Sequence, residues 1–117
     1  MLELNLEPLG YLCSIDNDDG YIVWRWGTGD NIELTHIRSI RKRGGSNLLK
    51  AMLMKLLDNP PHTTVFGFTR YDNHRAKAFY LRCGFSLTDV TGIYEEGIAT
   101  MFSAEFSKLC ILHEVHK

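Results

Sequence analysis

The densest positive charge of the chain stands directly before two glycines and an apolar stripe at helical spacing. Residues 40–52 read IRKRGGSNLLKAM, with three basic residues at positions 41–43. The first amide groups of a helix lack intrahelical partners and carry a partial positive charge. Glycine lets a ligand come close to such amides, and phosphate is the common ligand. The stretch therefore predicts a polyanion site, most simply for a pyrophosphate, where a helix begins.

Two other interpretations of this stretch are a solvated basic turn and a nucleic-acid-binding surface. The formal net charge of the 117 residues is -1, so the chain as a whole is no general polyanion binder. The basic cluster, which includes Arg38, is a local feature, and the overall charge argues against nucleic acid as a partner. Neither Gly-x-x-x-x-Gly-Lys-Ser/Thr nor Gly-x-Gly-x-x-Gly is present, so the common nucleotide loops are absent from the sequence.

The elements before this stretch are predicted to be strands. Segments 9–16 and 21–27 flank the turn signal NDDG and indicate an antiparallel hairpin. Segment 31–39 is a third strand, because apolar and polar residues alternate along it. Strict alternation puts Glu33, Thr35 and Ile37 on one face. It puts Ile32, Leu34 and His36 on the other.

From position 46 onward the apolar period changes to that of a helix. Ser46 is the predicted N-cap of that helix, and the prolines at 60–61 end it. A strand over 63–71, a helix over 73–84 and strands over 85–91 and 97–106 follow, while 107–117 is ambiguous between a strand and an interface segment. The sequence thus predicts one α/β (α+β) domain over 1–117, with a mixed, mostly antiparallel central sheet flanked by helices.

Two segments together resemble the hallmarks of the GNAT superfamily of N-acetyltransferases. Residues 41–46, Arg-Lys-Arg-Gly-Gly-Ser, are similar to the Arg/Gln-x-x-Gly-x-Gly/Ala loop of that family, with Ser46 in place of the last small residue. Residues 73–85, NHRAKAFYLRCGF, are similar to the second hallmark, and they match it at Asn73, Ala76, Phe79, Tyr80, Gly84 and Phe85. The resemblance covers roughly residues 20 to 106 and implies a GNAT-like acyl-CoA N-acyltransferase fold.

This resemblance implies an acetyl-CoA-dependent N-acetyltransferase. The acetyl group would pass to a primary amine by direct attack in a ternary complex. The pantetheine arm would lie where strands 31–39 and 63–71 splay apart, and would pair with free backbone groups as an added strand does. The residues that would hold acetyl-CoA are Ile37, Arg38, Ser39, Arg41, Lys42, Arg43, Gly44, Gly45, Ser46, Asn73, Ala76 and Phe79.

The resemblance also assigns catalytic roles. Tyrosines ordinarily titrate near pH ~10 and thiols near ~8.5, so a tyrosine can protonate a leaving thiolate. Tyr80 would be this acid, and the alternative is an ordinary packing aromatic. Glu33 would be the general base, and the alternative is a solvated strand carboxylate. His36 is of a suitable residue type, but alternation puts it on the opposite face from Glu33.

Partners and location are further expectations. HEVH at 113–116 lacks zinc-motif spacing and no Cys-x-x-Cys occurs, so no metal is expected. Three widely separated cysteines and a start without a basic or long apolar segment favour a cytoplasmic protein without a membrane span. The amine acceptor, a small molecule or a protein amine, is not indicated. Few residues precede the first strand, so the acceptor site is expected to be open, or to be completed by a second subunit or by the tail, and a homodimer is one way to cover the sheet. The alternative function is a catalytically inactive GNAT-fold module for CoA binding or protein interaction.

Overall fold

Six strands and three α-helices make up the described chain. The computed structural model describes residues 12–58, 60, 64–94 and 97–116. The elements in chain order are β1 Leu12–Asn17, β2 Gly20–Trp26, β3 Ile32–Ser39, α1 Gly44–Leu56, β4 Thr64–Arg70, α2 His74–Arg82, β5 Ser86–Tyr94, β6 Gly97–Glu105 and α3 Phe106–Leu112, with a short 3-10 turn at Thr28–Asp30. The strands form one sheet in the order β1-β2-β3-β4-β6-β5. The predicted fold class is confirmed.

The sheet is antiparallel except at its centre, where β3 and β4 run parallel. Helix α1 connects these two strands, as a parallel crossover requires. Their pairing consists of Ile32 with Val65 and Glu33 with Phe66. Beyond these pairs the two strands separate, so the predicted splay between segments 31–39 and 63–71 is confirmed.

A β-bulge in β3 changes which residues share a face. Val23 of β2 pairs with His36, whereas the next residue, Trp24, pairs with Leu34. Thr35 is therefore the extra residue, and its hydroxyl donates to the Val23 carbonyl at 3.1 Å. Strict alternation was the wrong prediction for this strand, because a bulge inserts one residue and reverses the order of faces after it.

The consequence concerns His36 and Ile37. Ile37 pairs with the fully buried Ile22, so it shares the core face with Leu34 rather than the face of Glu33. His36 and Glu33 pair with Val23 and Arg25 of β2, which are two residues apart and hence on one face. The face opposite the core thus carries both of the polar side chains that the sequence had placed apart.

The core lies between one face of the sheet and the helices. The apolar stripe of α1 packs on β2 and β3, and α2 packs on β5 and β6. The largest side chains with almost no exposure are Trp24, Phe102, Ile22, Ile32, Leu48, Leu49, Met52, Leu53 and Leu109. Within the described ranges, no helix is long and apolar enough to cross a membrane.

Two element boundaries differ from the sequence predictions. Helix α1 begins at Gly44, with Arg43 as the N-cap residue and no side-chain cap, so Ser46 is not the N-cap. The tail folds as helix α3 rather than as a strand. Helix α2 ends at Arg82, and Gly84, at a φ of 101°, follows the C-cap residue Cys83, in the glycine position that the sequence predicted. The hairpin is confirmed over β1 and β2, while residues 9–11, 59 and 61–63 of the predicted segments lie outside the described part.

Candidate functional site

A cleft of about 1220 Å³ opens where β3 and β4 separate. Its walls are the second half of β3, the loop 40–43, the first turn of α1, the end of β4 and one side of α2. The predicted site residues that line it are Ile37, Arg38, Ser39, Arg41, Lys42, Arg43, Gly45, Ser46, Asn73, Ala76, Phe79 and Tyr80. Glu33 and Gly44 are the two predicted residues that do not line it. The fold therefore brings the two sequence segments together at one cavity.

The lining is strongly basic. Its cationic side chains are Arg38, Arg41, Lys42, Arg43, Arg75 and Arg82, and among the residues described the lining has no Asp or Glu. Arg75 and Arg82 were not among the residues predicted from the sequence. They stand four residues before and three residues after Phe79, so helical spacing puts all three near one side of α2. That spacing was the signal that could have identified them.

The start of α1 presents backbone donors to this cleft. Arg43 adopts a left-handed conformation, with φ 64° and ψ 4°, and the first helical hydrogen bond runs from the Asn47 amide to the Arg43 carbonyl at 3.1 Å. In the described part of the chain, the Gly45 and Ser46 amides have no backbone acceptor. Two donor groups and the positive end of a 13-residue helix thus line a basic cavity, which fits a pyrophosphate.

The two glycines of the loop have different neighbours. A Cβ on Gly45 would stand 2.8 Å from a ring carbon of Phe79, so only glycine allows α1 and α2 to approach this closely at the cleft. A Cβ on Gly44 would stand 2.6 Å from the Asp19 carbonyl oxygen, in the turn between β1 and β2. Gly44 therefore packs against that turn rather than facing a ligand.

Arg41 is held by the same turn. Its Nε donates to Oδ1 of Asp19 at 2.6 Å, and Asn47 Nδ2 donates to the same oxygen at 3.3 Å. The hydrogen bond from Arg41, more than that from Asn47, holds the pKa of Asp19 below its ordinary value. The same contact raises the pKa of Arg41. Asp19 entered the sequence analysis only as part of a turn signal, because nothing local in NDDG indicates a partner 22 residues away.

Tyr80 is fixed between the core and the cleft. Its ring stacks on Phe102 with centroids 3.6 Å apart, and it makes edge contacts with Phe79 and Phe85. The residue is 7% exposed, yet it lines the cleft. Tyr80 can therefore pack as an aromatic and act as a catalytic acid from the same position, although the sequence presented these roles as alternatives.

Glu33 and His36 lie on the sheet face opposite the core. Oε1 of Glu33 accepts a hydrogen bond from Arg25 Nε at 3.0 Å, and Nη2 of the same arginine forms an ion pair with it at 3.0 Å. The carboxylate is therefore partly occupied. His36, by contrast, is exposed and lines the cleft. Because of the bulge at Thr35, His36 lies on the same face as Glu33. Alternation alone had put it on the opposite face.

Two further residues of the second segment have structural partners. Oδ1 of Asn73 accepts the Ala76 amide at 3.1 Å and caps α2. Part of its hydrogen-bonding capacity is thus used before any ligand binds. Cys83 lines the cleft but is buried, and burial raises the pKa of its thiol to about 11, against a smaller opposing effect of Arg82. A thiol with this pKa is a poor nucleophile at neutral pH.

The sequence matches no protein-family model and no curated relative. Several solved structures share the fold at low identity. Ard1 from Thermoplasma volcanium is 22% identical with a TM-score of 0.63, over 73% of this chain and 61% of that one. The ribosomal-protein-S18-alanine N-acetyltransferase from Escherichia coli is 18% identical with a TM-score of 0.63, over 89% and 76%. NAA60 from Arabidopsis thaliana, in complex with acetyl-CoA, is 13% identical with a TM-score of 0.64, over 91% and 90%.

The chain has the fold of the GNAT acetyltransferases, which its two sequence segments had indicated. It spans less than two thirds of the length of some of these proteins, as with Ard1. At identities of 13% to 22%, the likeness concerns the fold.

Proposed function

We propose that the protein is an acetyl-CoA-dependent N-acetyltransferase that transfers the acetyl group to a primary amine. One observation carries the proposal. The cleft between the diverging strands joins six cationic side chains and the start of α1 to Tyr80. A phosphate-binding end and a reactive end would thus share one cavity, as an extended acyl carrier with a pyrophosphate needs. The shared fold of acetyltransferases supports the same function.

Acetyl-CoA would be held by two sets of groups. The amides of Gly45 and Ser46, with Lys42 and Arg43, fit the pyrophosphate, because backbone donors and positive charges converge there. The backbone of β3 after Glu33 lies beyond the last β3–β4 pair, and it can pair with the pantetheine amides as with an added strand.

Acetyl-CoA, when bound, supplies an acyl group activated as a thioester. Tyr80 would hold at its hydroxyl the proton that the leaving thiolate requires, and the Phe102 stack keeps its ring in place for that task. Glu33 would take a proton from the amine, directly or through water. His36 is a second candidate for this role because it lines the cleft on the same face.

A second candidate function is a CoA-binding module without turnover. The observation that favours it is the ion pair of Arg25 with Glu33, which occupies the carboxylate of the proposed base. The two functions share the cofactor and differ in the product. Only the enzyme releases CoA in proportion to an added amine.

The location proposed is the cytoplasm. Cys13, Cys83 and Cys110 form no disulfide. Reduced thiols are typical of a reducing compartment.

The direct experiment measures acetyl transfer to a panel of primary amines. The panel holds small amines, lysine peptides and peptides with free N-termini, and mass spectrometry identifies the acetylated product. We expect amine-dependent acetylation and equal release of CoA. The hydrolysis rate without amine is the control. Binding of acetyl-CoA without product from any amine would favour the module instead.

A further inference from the structure

The turn between β1 and β2 contacts the basic loop through Asp19. The Asp19 carbonyl accepts the Ile40 amide at 2.9 Å. Its carboxylate accepts Arg41 Nε at 2.6 Å and Asn47 Nδ2 at 3.3 Å. These partners are the first two residues of the loop 40–43 and a residue in the first turn of α1. Asp19 thus contacts both the loop and the start of the helix.

Two other contacts close this arrangement. Gly44 lies so near the Asp19 carbonyl that a Cβ would be 2.6 Å from the oxygen. Ser39 Oγ donates to the Arg41 carbonyl at 2.6 Å. The Asp19 side chain is 14% exposed and that of Arg41 is 57% exposed, so the carboxylate is the more enclosed partner of the pair. The loop is therefore packed on the turn rather than only near it.

A carboxylate in this position carries an electrostatic cost for an anionic ligand. It adds a negative charge beside a cavity whose described lining has none, and it draws one guanidinium toward itself. A purely electrostatic account predicts tighter anion binding when the charge is removed. Weaker anion binding after removal of the charge is expected only if Asp19 shapes the loop.

We infer that Asp19 is a positioning residue for the pyrophosphate. By holding Arg41, Asn47 and the Ile40 amide, it fixes the loop 40–43 and the start of α1 in the shape that presents the Gly45 and Ser46 amides to the ligand. The inference rests on the proposed function, since it presupposes that CoA binds in this cleft. It adds a residue of the hairpin turn, outside both sequence segments, to the parts that determine cofactor affinity.

The test compares Asp19→Ala and Asp19→Asn with wild type by titration calorimetry. One titrant is CoA, and the other is S-acetylpantetheine, which lacks the pyrophosphate. We expect Asp19→Ala to weaken CoA binding about fivefold, the value of an exposed ion pair. Asp19→Asn keeps an oxygen acceptor, and the loss should be smaller. Affinity for S-acetylpantetheine should be unchanged in both variants.

Asp18→Asn is the matched control. It removes the same charge one residue away, and within the described chain the Asp18 side chain makes no hydrogen bond. We expect it to leave CoA affinity unchanged or slightly higher. Equal or tighter CoA binding by Asp19→Ala would overturn the inference, as would equal weakening of both titrants. If Asp19→Ala does not fold, as judged by circular dichroism, the same criteria apply to Asp19→Asn.

The wild-type titration separates this inference from the function on which it rests. Wild-type protein that fails to bind CoA overturns the proposed function and the inference together. Wild-type protein that binds CoA, with Asp19 variants that bind it at least as well, overturns the inference alone.

Discussion

At the scale of single residues, Tyr80 has a structural and a proposed chemical role. Its ring is part of an aromatic cluster with Phe79, Phe85 and Phe102, and the same residue lines the cleft. An acid must be held in a fixed position relative to the leaving group, since misplacement lowers the rate steeply. The stack on Phe102 holds the Tyr80 ring in place without any contact from the amine acceptor.

Tyr80→Phe separates the two roles. The variant keeps the ring and its stack but removes the ionisable hydroxyl. We expect the turnover number to fall about 100-fold, with the Kd for acetyl-CoA nearly unchanged, in steady-state kinetics and calorimetry. Tyr71→Phe, at a half-exposed tyrosine outside the cleft lining, should have no effect. Full turnover in Tyr80→Phe would remove the hydroxyl from the mechanism.

Cys83 allows a test of direct transfer. Burial raises the pKa of the Cys83 thiol to about 11. At pH 8 only about 0.1% of this thiol would be in the thiolate form, because the proton stays on sulfur until the pH approaches the pKa. We expect iodoacetamide to label the partly exposed Cys13 far faster than Cys83 at pH 8, as measured by peptide mass spectrometry. Cys83→Ala should still acetylate amines. An inactive but folded Cys83→Ala, or an acetylated Cys83, would indicate a covalent intermediate instead.

How far the residues could be predicted depends on whether their signal is local. Phe79 and Tyr80 belong to one contiguous segment with a recognisable pattern, so they were predicted. Asp19 was missed because its partners Arg41 and Asn47 are 22 and 28 residues away. Such contacts arise only when the hairpin and α1 are packed together.

At the scale of elements, the start of α1 depends on close packing rather than on a side-chain cap. The sequence predicted the N-cap three residues late, at Ser46 rather than at Arg43, because serine is a favoured N-cap residue. The structure begins the helix at Gly44, after the left-handed Arg43. The close approach of the turn to Gly44, which the sequence does not reveal, accounts for this earlier start.

Gly44→Ala tests this packing. Alanine favours a helix by about 1 kcal/mol over glycine, but here its Cβ would stand 2.6 Å from the Asp19 carbonyl oxygen. A backbone atom cannot move aside cheaply, so we expect a net destabilisation of about 1 to 3 kcal/mol. Urea denaturation followed by circular dichroism measures it.

Ser46→Ala is the control for that measurement, because Ser46 lies in the same turn and is exposed. We expect its free energy of unfolding to change by less than about 0.5 kcal/mol. A Gly44→Ala protein as stable as wild type would show that the turn and the helix are not packed as described.

The bulge at Thr35 is a second feature that depends on packing and could not be predicted from the sequence. Alternation correctly put Ile32 and Leu34 on one face, and both side chains are buried. It failed beyond Thr35, since an inserted residue is set by pairing with β2 and leaves no clear mark in the sequence. The order of elements up to β6 and the splay of β3 from β4 were predictable. The face of His36 was not.

At the scale of the whole molecule, charge is distributed unevenly. The chain has a formal net charge of -1, while the cleft gathers six of its cationic side chains. This contrast favours a small anionic ligand over nucleic acid, for which a broad basic surface is typical.

The single-domain assignment and the homodimer stay predictions, as do the absence of a metal and the cytoplasmic location.

The most direct test of the account is titration calorimetry of the wild-type protein with acetyl-CoA, desulfo-CoA and ATP. The proposed binding mode uses basic groups for the phosphates and the unpaired backbone of β3 for the pantetheine, so acetyl-CoA and desulfo-CoA should bind with similar affinity. ATP, which lacks the pantetheine arm, should bind at least about tenfold more weakly. Higher salt should weaken the binding of all three. No binding of acetyl-CoA, or binding no tighter than that of ATP, would contradict the account.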